Sequence, residues 1–251
     1  MLSIQFHYSN DRLQVFEQVI RVFETCPFFN SCEKIILFNG TCDFPKFEHV
    51  KLEYPFCRMD FWRKGQEVSS FDKILYLDSD RLFKFDLFDQ IYNELDNNDF
   101  VYPLSHYLLK YNVSDQFIIK ILEDKSFLDY LGSDLFDLGE DRTDKIEEAI
   151  GRRNPMSGCL GYHKNASLPT HGYIGWGFSD MLWFRHSIGK SFKALDTFDL
   201  HLHHNYDKTR HYQLINNLLN GVSYGVYDDR LMGLAKRVGI YKVEGLNKWI
   251  S

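Results

Sequence analysis

Long apolar runs, basic clusters and paired cysteines are all missing from this chain of 251 residues. No uncharged stretch approaches the roughly 18 apolar residues that a membrane-spanning helix needs. The opening MLSIQFHYSNDR has neither the basic n-region nor the apolar h-region of a secretory signal. The expectation is a cytoplasmic protein with no transmembrane segment. Lysine and arginine number 29 against 35 acidic residues, a formal net charge of −6, and they form no long run. Nucleic acid and anionic membranes are therefore excluded as main partners, because binding to them runs on phosphate neutralisation. One phosphorylated small molecule remains open. The five cysteines, at positions 26, 32, 42, 57 and 159, are odd in number and form no CxxC or Cys/His zinc spacing, so reduced thiols are expected. With no secretory signal, the sequons at Asn39, Asn112 and Asn165 are read as chance.

What the chain does have is apolar mass: 44% hydrophobic residues, with 22 Phe and 15 Tyr. That is enough to bury a core at this length, and it excludes intrinsic disorder. Residues 2–8 (LSIQFHY) read as a strand ending at Ser9-Asn10-Asp11. Leu13, Phe16, Val19, Ile20 and Phe23 then recur at three- and four-residue spacings, a helical stripe that Pro27 ends. Residues 34–38 (KIILF) and 73–77 (KILYL) are further strands, 50–54 is a weaker one, and 58–69 is a helix. Strands apolar on both faces and alternating with helices predict a Rossmann-like, mostly parallel sheet with helices on both sides. Beyond it, residues 105–170 read as a helical insertion or lid. An apolar strand is expected over 181–188, with helices over 208–220 and 228–238.

In such sheets ligands bind at the carboxyl ends of the strands. The most informative polar cluster at such an end is Asp78-Ser79-Asp80, directly after KILYL. Two carboxylates one residue apart, where a buried strand leaves the core, suit a hard divalent cation, Mn2+ or Mg2+, that retains room for phosphate oxygens. Asp80, at the outer end of the strand, is expected to be removable without loss of the fold.

The run KILYLDSDRLFKFDLFDQIY resembles the D-x-D segment of nucleotide-sugar glycosyltransferases of the GT-A fold, including glycogenin-like and bacterial lipopolysaccharide galactosyltransferase-like members. Asp86-Leu87-Phe88 fills the place of the short helix that follows the motif in that family. The resemblance implies a hexosyltransferase of polysaccharide biosynthesis, moving sugar from a UDP- or GDP-sugar to a glycan acceptor. It implies that Asp80 is the direct metal ligand and that Asp78 approaches metal and ribose, with Ser79 between them. It puts Phe6, His7 and Tyr8 near the base, Asn39 at the next strand end, and Arg58 near the diphosphate, with Arg63 and Lys64 as further basic candidates. The chain then divides into a nucleotide-sugar-binding half (1–104), the insertion (105–170) and an acceptor-binding half (171–251).

In that last part GWGFSD looks like the acceptor-side segment of inverting GT-A enzymes and of bacterial and viral polysaccharide transferases. Carried over, Trp176 and Gly177 contact the acceptor and Asp180 takes its hydroxyl proton or orients it. The family's retaining members often add a C-terminal histidine to the metal site, which makes the cluster His201, His203, His204 and His211 a source of a third ligand, with His203 or His204 the foremost candidates. Three competing readings remain. A haloacid-dehalogenase-type phosphatase also carries a D-x-D, but there the motif ends the first strand of the core. A glycoside hydrolase needs its two carboxylates roughly 5 Å or more apart. A catalytically inactive nucleotide-sugar-binding protein has no need of an intact Asp78/Asp80 pair.

Overall fold

Alternate residues of the first strand, β1 (Leu2–Ser9), serve two different layers. Leu2, Ile4, Phe6 and Tyr8 enter one apolar core, while Ser3, Gln5 and His7 are buried on the opposite face. The computed structural model describes residues 1–52, 58–109, 112–127, 136–139, 158–168 and 190–204. Among them β1 is the centre of a parallel group with β2 (Glu33–Asn39), β3 (Glu48–Lys51) and β4 (Lys73–Asp78), in the order β3-β2-β1-β4. The strand after Asn39 lies at 48–51 instead of 50–54. It is set by pairing to β2, and only Val50 of it is buried.

The sheet continues with β8 (Cys159–His163), β6 (Phe100–Leu109), β9 (Phe192–His201) and β5 (Arg81–Phe83), while β7 (Phe136–Gly139) pairs with β6. Here the pairing is mixed: β8 runs antiparallel to both β4 and β6, β6 is parallel to β9, and β9 is antiparallel to β5. The span 105–170 thus supplies the centre of the sheet as well as the helix α5 (Asp115–Glu123). The expected elements over 181–188, 208–220 and 228–238 lie outside the described residues.

One helical layer holds α1 (Leu13–Phe23), α2 (Pro27–Ser31), α4 (Asp86–Glu94) and α5, packed on Phe6, Leu75, Leu77 and Leu200. Pro27 begins α2 instead of ending α1, at a first-turn position where its missing N–H costs nothing. The other layer is α3 (Arg58–Val68), whose Phe61 and Trp62 meet Ile35, Leu37, Ile74 and Tyr76. On this face Gln5 is paired: it donates to Ser69 at 2.8 Å and accepts from the Tyr162 hydroxyl at 3.0 Å. Four described cysteines are free thiols, and no described helix is long and apolar enough to cross a membrane.

Tyr8 has 2% of its surface exposed and lies against Phe16 (5.2 Å between centroids) and Phe44 (5.8 Å). Tyr8→Ala empties that aromatic site, and the expected loss is about 3–5 kcal/mol of unfolding free energy. The shift of the urea midpoint at unchanged slope measures it.

Candidate active site

The site is built by a chain reversal and one sheet register. β4 ends at Asp78, the chain turns through Ser79 and Asp80, and the short β5 runs back out beside β9. In that antiparallel pair Arg81 lies opposite His201 and Phe83 opposite Asp199, and the Leu202 N–H donates to the Asp80 carbonyl at 2.9 Å. A residue from the end of β9 therefore reaches Asp80 by backbone pairing, although more than a hundred positions separate them in sequence.

The Nε2 atoms of His201 and His204 each lie 3.2 Å from Oδ2 of Asp80, and 3.1 Å from one another. At 3.1 Å the two Nε2 atoms cannot both carry a proton facing the other. Asp80 is 1% exposed, and its polar neighbours are two guanidiniums and two imidazoles. Arg12, from the turn after β1, pairs with Oδ2. The Arg81 Nε stands 3.5 Å from Oδ1, while its Nη1 donates to Asp199 at 2.8 Å.

Asp80, His201 and His204 form a set of three candidate metal-ligand atoms. Separations of 3.1–3.2 Å match adjacent corners of an octahedron with bonds of roughly 2.2–2.3 Å. Two imidazoles and one carboxylate form a donor set that suits manganese better than magnesium, which prefers all-oxygen shells. The residues present fit a divalent transition-metal ion.

Asp78 is not part of that set. Its side chain accepts from the Tyr76 hydroxyl, and its N–H donates to the Gly158 carbonyl at 2.8 Å. Gly158 has φ +85°, and a Cβ there would stand 2.5 Å from the Arg81 Nε, so only glycine fits between the β4 end and the arginine. Ser79 is buried in the turn.

The expected base contacts are placed otherwise. Phe6 is wholly buried among Phe16, Phe29 and Phe47, and Tyr8 is nearly so, which leaves neither ring a face for a ligand. An all-apolar strand face at the centre of a sheet goes into the core, and helix α1 covers it. His7 is buried against Phe61, Trp62 and Tyr76. Asn39 donates to the Leu52 carbonyl at 2.6 Å, holding the end of β2 to the chain beyond β3. Arg58 opens α3; Trp176, Gly177 and Asp180 lie outside the described residues. Of the candidate histidines, His201 and His204 join Asp80, His203 does not, and His211 lies outside the described residues. His201, Asp199, Arg12 and Arg81 complete the cluster. The sheet register is what finds His201: it is the residue paired opposite Arg81, beside Asp80.

No protein-family model matches the sequence, and no curated protein matches it. Solved structures do match. TarS of S. aureus, residues 1–349 in complex with UDP-GlcNAc, has a TM-score of 0.54 at 9% identity, over 99% of this chain and 78% of that one. Glucosyl-3-phosphoglycerate synthase of Mycobacterium tuberculosis, with Mn2+, UDP-glucose and phosphoglyceric acid, has a TM-score of 0.50 at 13% identity, over 96% and 81%. The chain has the α/β architecture of the GT-A glycosyltransferases.

Proposed function

We propose that this chain is a metal-dependent glycosyltransferase that moves a hexose from a UDP- or GDP-sugar to a hydroxyl of a glycan acceptor in polysaccharide biosynthesis. The observation that carries the reading is Asp80 facing His201 and His204 at the carboxyl ends of the parallel strands of a GT-A fold. The two structural neighbours hold UDP-sugars, one of them with Mn2+, and this supports the same donor class here.

The proposed division of labour follows from the charges. Two carboxylates and two guanidiniums, Asp80 and Asp199 with Arg12 and Arg81, cancel one another in the buried cluster. A divalent cation held by Asp80, His201 and His204 adds positive charge that a nucleoside diphosphate complements, and it stabilises the charge growing on that leaving group. Asp78, fixed by Tyr76, stands at the carboxyl end of β4 with Ser79 between it and Asp80, suited to a ribose hydroxyl. Asn39 and Arg58 border the donor side. On the acceptor side Trp176 and Gly177 contact the sugar, and Asp180 takes the proton of the attacking hydroxyl.

Calorimetric titration of Mn2+, and of UDP and GDP with and without it, tests the reading. Nucleotide binding is expected only with metal, and more tightly with Mn2+ than with Mg2+. His204→Ala is expected to weaken Mn2+ binding by about tenfold or more; an unchanged affinity overturns the site. Asp80→Ala is a poor probe, because the carboxylate is buried and not at an open strand end as the sequence suggested. It removes the carboxylate that Arg12 and Arg81 both face in a buried cluster, and the expected cost is about 3–5 kcal/mol of stability, read by urea unfolding.

Asp180→Asn keeps the side chain's shape but cannot accept a proton. Turnover is expected to fall by about a hundred- to ten-thousandfold, with the donor dissociation constant nearly unchanged. A mild fall in turnover with a collapse of acceptor affinity assigns Asp180 to orientation, and no change in either removes it from the site.

A further inference from the structure

A cavity of about 510 Å³ opens beside the metal-ligand cluster and shares one wall with it, His204. Its size lies within the roughly 300–1,000 Å³ of small-ligand sites. The other walls come from three places: the turn after β1, the outer face of α1, and the Asn112-Val113 pair that leads into α5. We infer that this cavity binds an uncharged, polyhydroxylated acceptor, a sugar unit of a neutral glycan, next to the metal site. The inference rests on the glycosyl-transfer reading and deepens it by naming the acceptor's chemistry.

The lining is amide-rich. Gln14 and Asn112 are exposed residues of the lining, and each amide offers two donors and an acceptor, the complement of alcohol groups that both donate and accept. Apart from the imidazoles of His203 and His204, the lining carries one basic and one acidic residue, Arg21 and Asp11. Its one arginine, Arg21, has its guanidinium bound to Asp115 at 2.8 and 3.4 Å, while the carboxylate of Asp11 lines the wall. An anionic acceptor such as a phosphoglycerate finds no uncommitted guanidinium or ammonium among the described lining residues.

An apolar element is present as well. Leu13 is 45% exposed and lines the cavity, although its spacing places it on the stripe that Phe16, Ile20 and Phe23 bury. Met1 apart, it is the only large hydrophobe so exposed among the described residues. A pyranose ring presents just such a pairing, hydroxyls at its rim and a C–H face for an aliphatic side chain.

The walls are fixed before any ligand arrives. Gln18 donates to the Val113 carbonyl and to Asp115, both at 2.8 Å, which ties α1 to the start of α5. Asn10 donates to the Thr41 hydroxyl at 2.7 Å and so holds the turn after β1. Preorganised walls limit the ordering cost of binding.

The test uses saturation-transfer NMR on the full chain with methyl glucoside, methyl galactoside, maltose and lactose, and with 3-phosphoglycerate as the anionic comparator. Gln14→Trp fills the cavity from an exposed helical position, and Asn112→Ala removes one amide wall. Saturation transfer is expected to at least one neutral sugar and not to phosphoglycerate. Gln14→Trp should abolish it and Asn112→Ala weaken it by about two- to tenfold, with Mn2+ affinity unchanged in both. No transfer to any of the four sugars, transfer unaffected by Gln14→Trp, or a phosphoglycerate signal lost in that variant overturns the inference. Absence of metal-dependent nucleotide binding in the unsubstituted protein instead overturns the glycosyl-transfer reading, so the two failures are distinct.

Discussion

The burial of the Asp80 carboxylate is the constraint on which the rest of the site depends. Taking an ionised carboxylate out of water costs several kcal/mol even after relaxation, on the order that only close opposite charge and good geometry repay. Here the compensation comes from four separate places: the turn after β1, the residue following Asp80, and two positions around the end of β9. No single stretch of chain supplies it, so the site exists only when the sheet is assembled. The three-residue strand β5 is the means: by pairing with β9 it brings Arg81 and Asp80 to Asp199 and His201 at once.

That arrangement explains several local oddities. Gly158 adopts φ +85° because the Arg81 side chain fills the space where a Cβ would stand, and its carbonyl receives the Asp78 N–H. Asp199 faces inward from β9 although strands seldom bury a carboxylate, because Arg81 needs a partner once its other flank faces Asp80. The same pairing fixes where the arginine points, which leaves Oδ2 of Asp80 to the histidines and Arg12.

The first half of the fold was legible because its signals are local. β1, β2, β4, α1 and α3 each carry an unbroken apolar run or a helical period, and their alternation predicts the parallel group. β6 and β9 were hidden for physical reasons. Pro103 argues against a strand, yet the register shifts between Pro103 and Ser105, and proline is tolerated at such a bulge. β9 buries Asp199 for the site and exposes Asp196, so its alternation is broken by function. The motif Asp78-Ser79-Asp80 could be read as a metal site, but His201 and Arg12 could not be attached to it without the sheet order. Phe6 and Tyr8 show the opposite limit: position at a strand end suggested ligand contact, whereas alternation along β1 sends both side chains into the core.

Arg12 and a divalent cation make rival claims on one carboxylate oxygen, since the guanidinium pairs with the same Oδ2 that faces both imidazoles. Two positive groups cannot share it at full contact, because like charges a few ångströms apart in a buried site repel by several kcal/mol at an effective dielectric of roughly 20. On the proposed reading, a cation held by Asp80, His201 and His204 would displace the Arg12 guanidinium from Oδ2. That guanidinium follows β1, on the turn that also carries Asn10 and Asp11 into the cavity wall. Displaced from Asp80, it would stand beside the metal as a positive donor for a diphosphate. The pairing that stabilises the buried carboxylate would then supply a phosphate-binding group in the metal-bound state of that reading.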